Sequence, residues 1–152
     1  MFKKKILIIL ILIFFTNCEY KPIYSSLNKS NYKIIVTELS GDKKLNKFLV
    51  ENLIRNSQKN SDKIINIKID TKYTKAILSK DAAGNVTDYK VNALTTFLVE
   101  RNQNLEKITL GESFNFQKIS DKYEEKNYEQ NVKRNLATLI SQKLILRLSI
   151  SQ

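Results

Sequence analysis

A single cysteine, Cys18, carries the clearest chemistry in this 152-residue chain. It follows a basic tip at Lys3-Lys4-Lys5, an apolar run from Ile6 to Phe15, and the polar pair Thr16-Asn17. That order is typical of a bacterial lipoprotein signal peptide, in which cleavage leaves the cysteine as the first residue and its side chain takes a lipid. We therefore expect a covalent N-acyl diacylglycerol group on Cys18 and a membrane-anchored domain behind it.

Two other interpretations of the apolar run are a transmembrane helix and a buried core segment. A spanning helix needs roughly 20 apolar residues, whereas the run from Ile6 to Phe15 has only 10. A core segment does not explain why lysines precede the run and the only cysteine follows it. The lipoprotein signal accounts for all of these features, although Phe15 and Asn17 depart from the leucine and the small residue that are usual at positions −3 and −1.

The remaining side chains give no convincing site for catalysis or for a metal. The chain has no histidine, which is the commonest general base and metal ligand. Ser79 and Ser113 therefore have no histidine to activate them, and the three glycines lie too far apart to form a phosphate-binding loop. The acidic residues on strands and loops show no paired-carboxylate pattern: Asp70, Asp81, Asp88 and Glu112. We predict that the protein is not an enzyme, holds no metal, and carries no cofactor beyond the lipid on Cys18.

The charge of the chain predicts an anionic partner. Net charge is +11, of which the three lysines of the basic tip contribute +3, so the part after residue 17 carries +8. An exported protein rarely meets nucleic acid, so the charge favours lipid headgroups or an acidic glycolipid. Lys68, Lys72 and Lys90 fall on polar strand faces, and Lys75 and Lys80 lie at the hairpin tip. If Lys68 and Lys90 face the same side, they form a cationic stripe that can meet phosphates. The alternative is that these are ordinary solubilising side chains, because exposed lysines are common.

The composition divides the chain into three parts. Residues 1–17 form the signal peptide, residues 18–31 a lipidated tether with the only proline, and residues 32–152 a single domain. A domain of this length is long enough to bury a real core. Asp42 is a predicted helix N-cap, and Gly84 with Asn85 is predicted to supply the positive φ angles of a hairpin loop at residues 79–85.

Hydrophobic periodicity predicts four strands and two helices. Alternation with period two indicates strands at residues 32–39, 63–77, 86–101 and about 108–117, the last two separated by a tight turn at residues 102–104. Apolar stripes with helical spacing indicate helices at residues 43–58 and about 128–149. The first stripe comprises Leu45, Phe48, Leu49 and Leu53, and the second Tyr128, Val132, Leu136, Leu139, Ile140, Leu144 and Leu148. The expected fold is an α+β two-layer sandwich of order β-α-β-β-β-α, in which two helices cover one face of a four-stranded, mostly antiparallel sheet.

Three segments and their order resemble the α-proteobacterial form of the LPS-assembly lipoprotein LptE family. The first is the segment that opens at the cysteine, with Cys18, Tyr20, Pro22 and Tyr24 spaced as Cys-x-Tyr-x-Pro-x-Tyr. Residues 76–89 resemble the β-hairpin of that family, and residues 131–148 its final helix. The resemblance covers nearly the whole chain and rests on the order of these short motifs.

The resemblance implies a function in the outer membrane. Members of the family plug a large outer-membrane β-barrel, the LPS-assembly protein, aid its assembly, and take part in lipopolysaccharide insertion. In the enterobacterial sorting rule, an aspartate directly after the cysteine retains a lipoprotein in the inner membrane. This chain has Glu19 there, so the resemblance implies sorting to the outer membrane. Because family contacts to lipopolysaccharide are basic, we assign Lys75, Lys80 and Lys90 as candidate contacts from charge and position. The alternative is another envelope lipoprotein, such as an auxiliary subunit of a lipid transporter or of barrel-assembly machinery.

Overall fold

The computed structural model describes residues 32–150, which form four strands and two helices. The order is β-α-β-β-β-α, as the hydrophobic pattern predicts. The elements are β1 (Lys33–Gly41), α1 (Lys43–Arg55), β2 (Ile64–Lys80), β3 (Val86–Arg101), β4 (Asn104–Gln117) and α2 (Lys122–Ile150). The predicted signal peptide and tether, with Cys18, lie outside the described residues.

The strands form one mixed sheet in the order β1-β2-β3-β4. β2, β3 and β4 make an antiparallel meander, whereas β1 pairs in parallel with the first half of β2, from Ile64 to Thr71. Parallel neighbours need a crossover connection, and α1 supplies it. The prediction of a mostly antiparallel sheet covered by two helices is therefore confirmed.

The core lies between one face of the sheet and both helices. On β2 and β3 the inward side chains are the odd-numbered ones, because successive side chains of a strand point to opposite faces. The principal buried side chains are Ile65, Ile67, Ile69, Val91, Phe97 and Val99 from the sheet, Leu45, Leu49 and Leu53 from α1, and Leu136, Ile140 and Leu144 from α2. The even-numbered side chains of β2 and β3 point to the opposite face, which neither helix covers.

The corner between β1 and α1 depends on Gly41 and Asp42. Gly41 has a φ of +89°, and a Cβ there would lie 1.7 Å from the backbone oxygen of Thr71. Only glycine fits so close an approach. The Asp42 side chain accepts a hydrogen bond from the Leu45 amide at 2.8 Å, which confirms it as the N-cap of α1. α1 ends at Arg55, three residues before the predicted end, because the Asn56 amide closes the last turn onto the Asn52 carbonyl.

The last helix, α2, is longer than predicted and presents a different stripe. It begins at Lys122, where Asp121 caps it by accepting from the Glu124 amide at 2.8 Å. The assignment of Tyr128 and Leu139 to the buried stripe is wrong, because these side chains are 39% and 45% exposed. The buried residues follow the spacing Val132, Leu136, Ala137, Ile140, Ser141, Leu144, Ile145 and Leu148.

Neither described helix combines the length and the apolar character that crossing a membrane requires.

Candidate interaction surface

The three lysines predicted to contact lipopolysaccharide lie in three different environments. Lys75 points toward the helices and is about one quarter exposed. Lys80 is exposed where β2 ends, beside the hairpin loop, and Lys90 is exposed on the uncovered face of β3. Lys75 and Lys90 are therefore on opposite faces of the sheet, and the structure does not bring the three side chains together.

Lys75 is held by side chains from α2 and the sheet. Its Nζ lies 2.8 Å from Glu125 Oε1 and 3.1 Å from Glu129 Oε2. It also lies 4.1 Å from the ring centroid of Tyr89 and 5.1 Å from that of Phe116, within cation–π range. Burial by itself lowers the pKa of Lys75, but the hydrogen bonds and negative charges of the two glutamates outweigh it, so the pKa is raised. Lys75 already has its anionic partners inside the fold.

We call the uncovered side of β2, β3 and β4 the open face, defined by the even-numbered residues of β2 and β3 and the residues opposite them on β4. Three of its lysines, Lys72, Lys90 and Lys107, are exposed and form no ion pair within residues 32–150. Lys68 shares this face with Lys90, which meets the condition for a cationic stripe, but Lys68 pairs with Glu38 at 2.9 Å. That hydrogen bond raises the pKa of Lys68. The open face thus offers three unpaired cations on three adjacent strands.

Two leucines of β3 lie among these cations. Leu94 is 47% exposed and sits between Lys72 on β2 and Gly111 on β4. Gly111 leaves room for it, because a Cβ there would come within 3.2 Å of the Leu94 side chain. Leu98 lies between Lys68 and Lys107 in the same way. An apolar strip flanked by ammonium groups suits an amphiphile that carries phosphate, since lysine meets phosphate as a point charge.

The loop beyond Lys80 is held by its own hydrogen bonds. Asp81 accepts from the amides of Ala83 and Asn85 at 2.9 and 2.8 Å, and from the Asn85 side chain at 3.0 Å. These hydrogen bonds, led by that of the Asn85 side chain, lower the pKa of Asp81. Gly84 has a φ of +83°, as predicted, whereas Asn85 does not have a positive φ and instead closes the loop onto Asp81. The tip therefore presents Lys80 at the end of β2, beside a hydrogen-bonded loop.

The long strands separate this tip from the end at which the tether joins the domain. β2 has 17 residues, and at about 3.3 Å per residue it spans about 55 Å. Tyr32, the first described residue, lies at the opposite end, where its hydroxyl accepts from Arg101 at 3.3 Å. The fold thus holds the hairpin loop far from the end that carries Tyr32, where the predicted tether would join.

The strand ends near the tip hold a small polar cluster. Ser79 donates to Asp88, and Thr87 donates to the same carboxylate at 2.8 Å. The hydrogen bond from Ser79, with that from Thr87, lowers the pKa of Asp88. Residues 32–150 contain no group of three or more Cys, Asp or Glu side chains placed to hold a metal ion.

The sequence interpretation missed part of the open face. Lys107 and the two leucines were not among the predicted site residues, and Lys72 was noted only as one of several polar-face lysines. Their phase in the strands was available from the sequence. The register that sets Lys72 beside Leu94, and Leu98 beside Lys107, needed the strand pairing.

Comparison with known proteins gives structural neighbours only. No protein-family model matches the chain, and no curated protein matches its sequence. Its structure is similar to that of rare lipoprotein B from Shewanella oneidensis (TM-score 0.56, 15% identity, 77% of this chain and 98% of that one). It is also similar to a Caulobacter crescentus CB15 protein assigned as a lipoprotein, with a TM-score of 0.54 and 14% identity over 83% of this chain and 91% of that one. A third neighbour is a minor lipoprotein from Acinetobacter baumannii, with a TM-score of 0.50 and 18% identity over 76% of this chain and 94% of that one. The chain therefore shares the fold of these lipoproteins over nearly their whole solved length.

Proposed function

We propose that this protein is an outer-membrane lipoprotein of the LptE type, anchored through Cys18, that plugs a large LPS-assembly β-barrel and aids barrel assembly and lipopolysaccharide insertion. The observation that carries the proposal is the fold shared with rare lipoprotein B across 98% of that chain. The name of that neighbour gives a lipoprotein of the same fold, and the LptE type is what the resemblance of the sequence motifs implies. The lipoprotein signal at Cys18 and the spacing of Tyr20, Pro22 and Tyr24 support the same assignment.

The described surface suits the inside of such a barrel. The interior of an outer-membrane barrel is polar, and a plug needs a rigid body with polar sides. The open face supplies polar and charged side chains on three paired strands, and the helices turn many charged residues outward. We propose no catalytic role and no cofactor other than the lipid on Cys18.

We propose that lipopolysaccharide meets the open face and the hairpin tip. Lys80 and Lys90 stay in the proposed site, because both are exposed and form no ion pair in the described part of the chain. Lys75 leaves it, because Glu125 and Glu129 already neutralise its charge. Lys72 and Lys107 replace it, since they flank the exposed Leu94 and the half-buried Leu98, on which acyl chains would lie.

The partner is tested by affinity purification of the tagged chain from detergent-solubilised envelopes, followed by mass spectrometry. We expect one large outer-membrane barrel in stoichiometric amount. Recovery of the protein alone would contradict the proposal. Recovery with an inner-membrane transporter, or with barrel-assembly machinery, would favour the alternative of a different envelope lipoprotein.

The glycolipid site is tested with the purified double variant Lys80→Glu/Lys90→Glu and lipopolysaccharide. We expect weaker binding, because two cations that would face phosphates become anions. The matched control is Lys43→Glu/Lys44→Glu, which makes the same charge change at the start of α1, away from the open face. Unchanged binding by the first variant, or equal weakening by both, would exclude the proposed site.

A further inference from the structure

One end of the domain gathers the point where the tether joins, a loop, a turn and a helix terminus. Tyr32 accepts through its carbonyl from the Gln58 amide at 3.0 Å, and the amide of Lys33 donates to the Lys63 carbonyl at 2.8 Å. Arg147 near the end of α2 pairs with Glu106 at 3.2 Å. We call this the tether end. It comprises residues 32–33, 55–64, 99–106 and 147–150, and the hairpin end comprises residues 78–88 and 117–126.

The two ends carry different charge. The tether end has the basic residues Lys33, Arg55, Lys59, Lys63, Arg101 and Arg147 against the acidic Asp62, Glu100 and Glu106, a balance of +3. The hairpin end has Lys80, Lys118, Lys122 and Lys126 against Asp81, Asp88, Asp121, Glu124 and Glu125, a balance of −1. The domain is therefore electrically polar along its long axis, and its positive end is the one that the tether joins.

The tether end also exposes large apolar side chains. Ile150 is 76% exposed and Leu105 69%, which are two of the three highest values among the exposed large hydrophobic residues of residues 32–150. Ile64 is 48% exposed and lines one shallow depression together with Leu105 and the basic Lys63. A surface with apolar side chains surrounded by cations favours binding to the headgroup region of an anionic bilayer.

We propose that, before the barrel encloses the domain, the tether end docks on the anionic phospholipid leaflet that holds the lipid anchor, so that the domain stands on the membrane with its hairpin end directed away. The proposal rests on the proposed anchor at Cys18. The 14 residues from Cys18 to Asn31 could reach about 50 Å when extended, so the tether alone does not orient the domain. The basic residues do, because one cation close to an anionic leaflet favours that orientation about five-fold.

The hairpin end does not compete for this surface. It lies about 55 Å away along β2, whereas the Debye length is about 10 Å at moderate ionic strength. Its carboxylates outnumber its lysines, so its balance of −1 gives it no net attraction to an anionic leaflet. The same leaflet therefore attracts one end of the domain and leaves the other in solution.

The test places an environment-sensitive fluorophore on the full chain, attached to vesicles through its N-terminal segment. The label is carried by Asn60→Cys in the tether end or by Ala83→Cys in the hairpin loop, both exposed positions. The parent chain, with Cys18 alone, gives the labelling background. The vesicles are phosphatidylcholine with phosphatidylglycerol, or phosphatidylcholine alone, each with a trace of lipid that carries a nitroxide quencher on its headgroup.

We expect stronger quenching at position 60 than at position 83 in vesicles that contain phosphatidylglycerol, and loss of that difference in phosphatidylcholine alone or at high salt. The variant Arg55→Gln/Lys59→Gln/Lys63→Gln removes three exposed cations that form no ion pair in the described residues, and it should abolish the difference.

The matched variant Lys118→Gln/Lys122→Gln/Lys126→Gln, with the same change in charge, should leave the difference intact. Equal quenching at both positions, or quenching at position 60 that does not respond to the first variant, would overturn the proposal. No barrel is present in this test, so its result is independent of the co-purification result.

Discussion

Replacing Lys75 with methionine tests whether this lysine supports the fold or a ligand. Methionine keeps the unbranched apolar stem but removes the ammonium group that Glu125 and Glu129 share. The two carboxylates lie one turn apart on α2 and would then face each other without a cation. The rings of Tyr89 and Phe116 would lose their cation as well.

The expected cost follows from the burial of the cluster. Side-chain exposure is 24% for Lys75, 19% for Glu125 and 24% for Glu129. Removing one partner of a fully buried pair costs about 3–5 kcal/mol, whereas exposed pairs contribute about 0.2–1 kcal/mol. A partly buried triad falls between these limits, and the cation–π contact adds about 0.5–1 kcal/mol. We expect Lys75→Met to lower the free energy of unfolding by about 3 kcal/mol.

The assay is urea unfolding followed by far-ultraviolet circular dichroism, with the midpoint and slope fitted together. Lys72→Met is the matched control, because Lys72 lies on the open face without an ion pair in the described residues and should change stability by less than about 0.5 kcal/mol. Adding Glu129→Gln to Lys75→Met should recover part of the loss, since it removes one of the two like charges.

The contribution of Lys75 should also depend on pH in a defined direction. Its pKa is raised above the ordinary 10.5, so its contribution is complete below pH 10.5 and is lost as pH rises through the higher folded value. The hydrogen bond from Lys75 lowers the pKa of Glu125 below the ordinary 4.5, so that contribution is present above pH 4.5 and is lost as pH falls through the lower folded value. The stability difference between the parent and Lys75→Met should therefore be largest between these limits.

A loss no larger than that of Lys72→Met, with the same dependence on pH, would refute the assignment of Lys75 to the fold. In that case Lys75 would again be a candidate contact, and lipopolysaccharide binding by the Lys75→Met variant would have to be measured. If the reasoning is correct, any weaker binding by this variant follows its loss of folded protein and disappears when binding is normalised to the folded fraction.

Three further predictions concern the fold that carries the surface. Gly41→Ala should destabilise the protein by more than about 3 kcal/mol, because its Cβ would overlap the Thr71 backbone oxygen and its φ of +89° is strained for alanine; a midpoint of urea unfolding equal to that of the parent would contradict this. Asp42→Ala should lower the free energy of unfolding by about 1–3 kcal/mol, because it removes both the cap of α1 and the ion pair with Lys133. Asp42→Asn should lower it less, because asparagine also caps a helix. Equal losses in urea unfolding would show that the cap contributes nothing. Leu136→Ala should lower the free energy of unfolding by about 2–5 kcal/mol, because Leu136 is buried, and Leu139→Ala by less than about 1 kcal/mol, because Leu139 is exposed. The reverse order in thermal or urea unfolding would contradict the observed face of α2.

Turn chemistry and local caps were largely available from the sequence. Gly84 supplies the positive φ of the hairpin loop, and Asp42 begins α1 where the sequence places a cap. The tight turn after β3 uses positive φ at Asn102 and Gln103, which are the two central residues of a two-residue hairpin turn. These features depend on a few neighbouring residues, so the local sequence is enough to predict them.

The boundaries and face of α2 could not be obtained in the same way. Leu139 continues an apolar spacing, yet it faces outward while Ala137 and Ser141 are buried. Small residues are buried there because they let α2 approach its neighbours, and hydropathy alone does not report such a fit. The exposed Leu139 shows that an apolar residue near the stripe need not belong to the core.

The sequence by itself determined the class of the fold, the alternation of the long strands and the excess of positive charge, and it predicts a lipoprotein signal that ends at Cys18. These depend on composition and on periods of two or 3.6 residues, which are local properties. The tertiary structure alone decided which lysines remain without anionic partners. Lys75 meets Glu125 and Glu129, about 50 residues away in sequence, only because α2 packs across β2, whereas Lys72 and Lys90 lie on the face that neither helix covers. The position of a residue in a strand predicts the face of the sheet on which its side chain lies, but only the packing of distant elements decides what that side chain contacts.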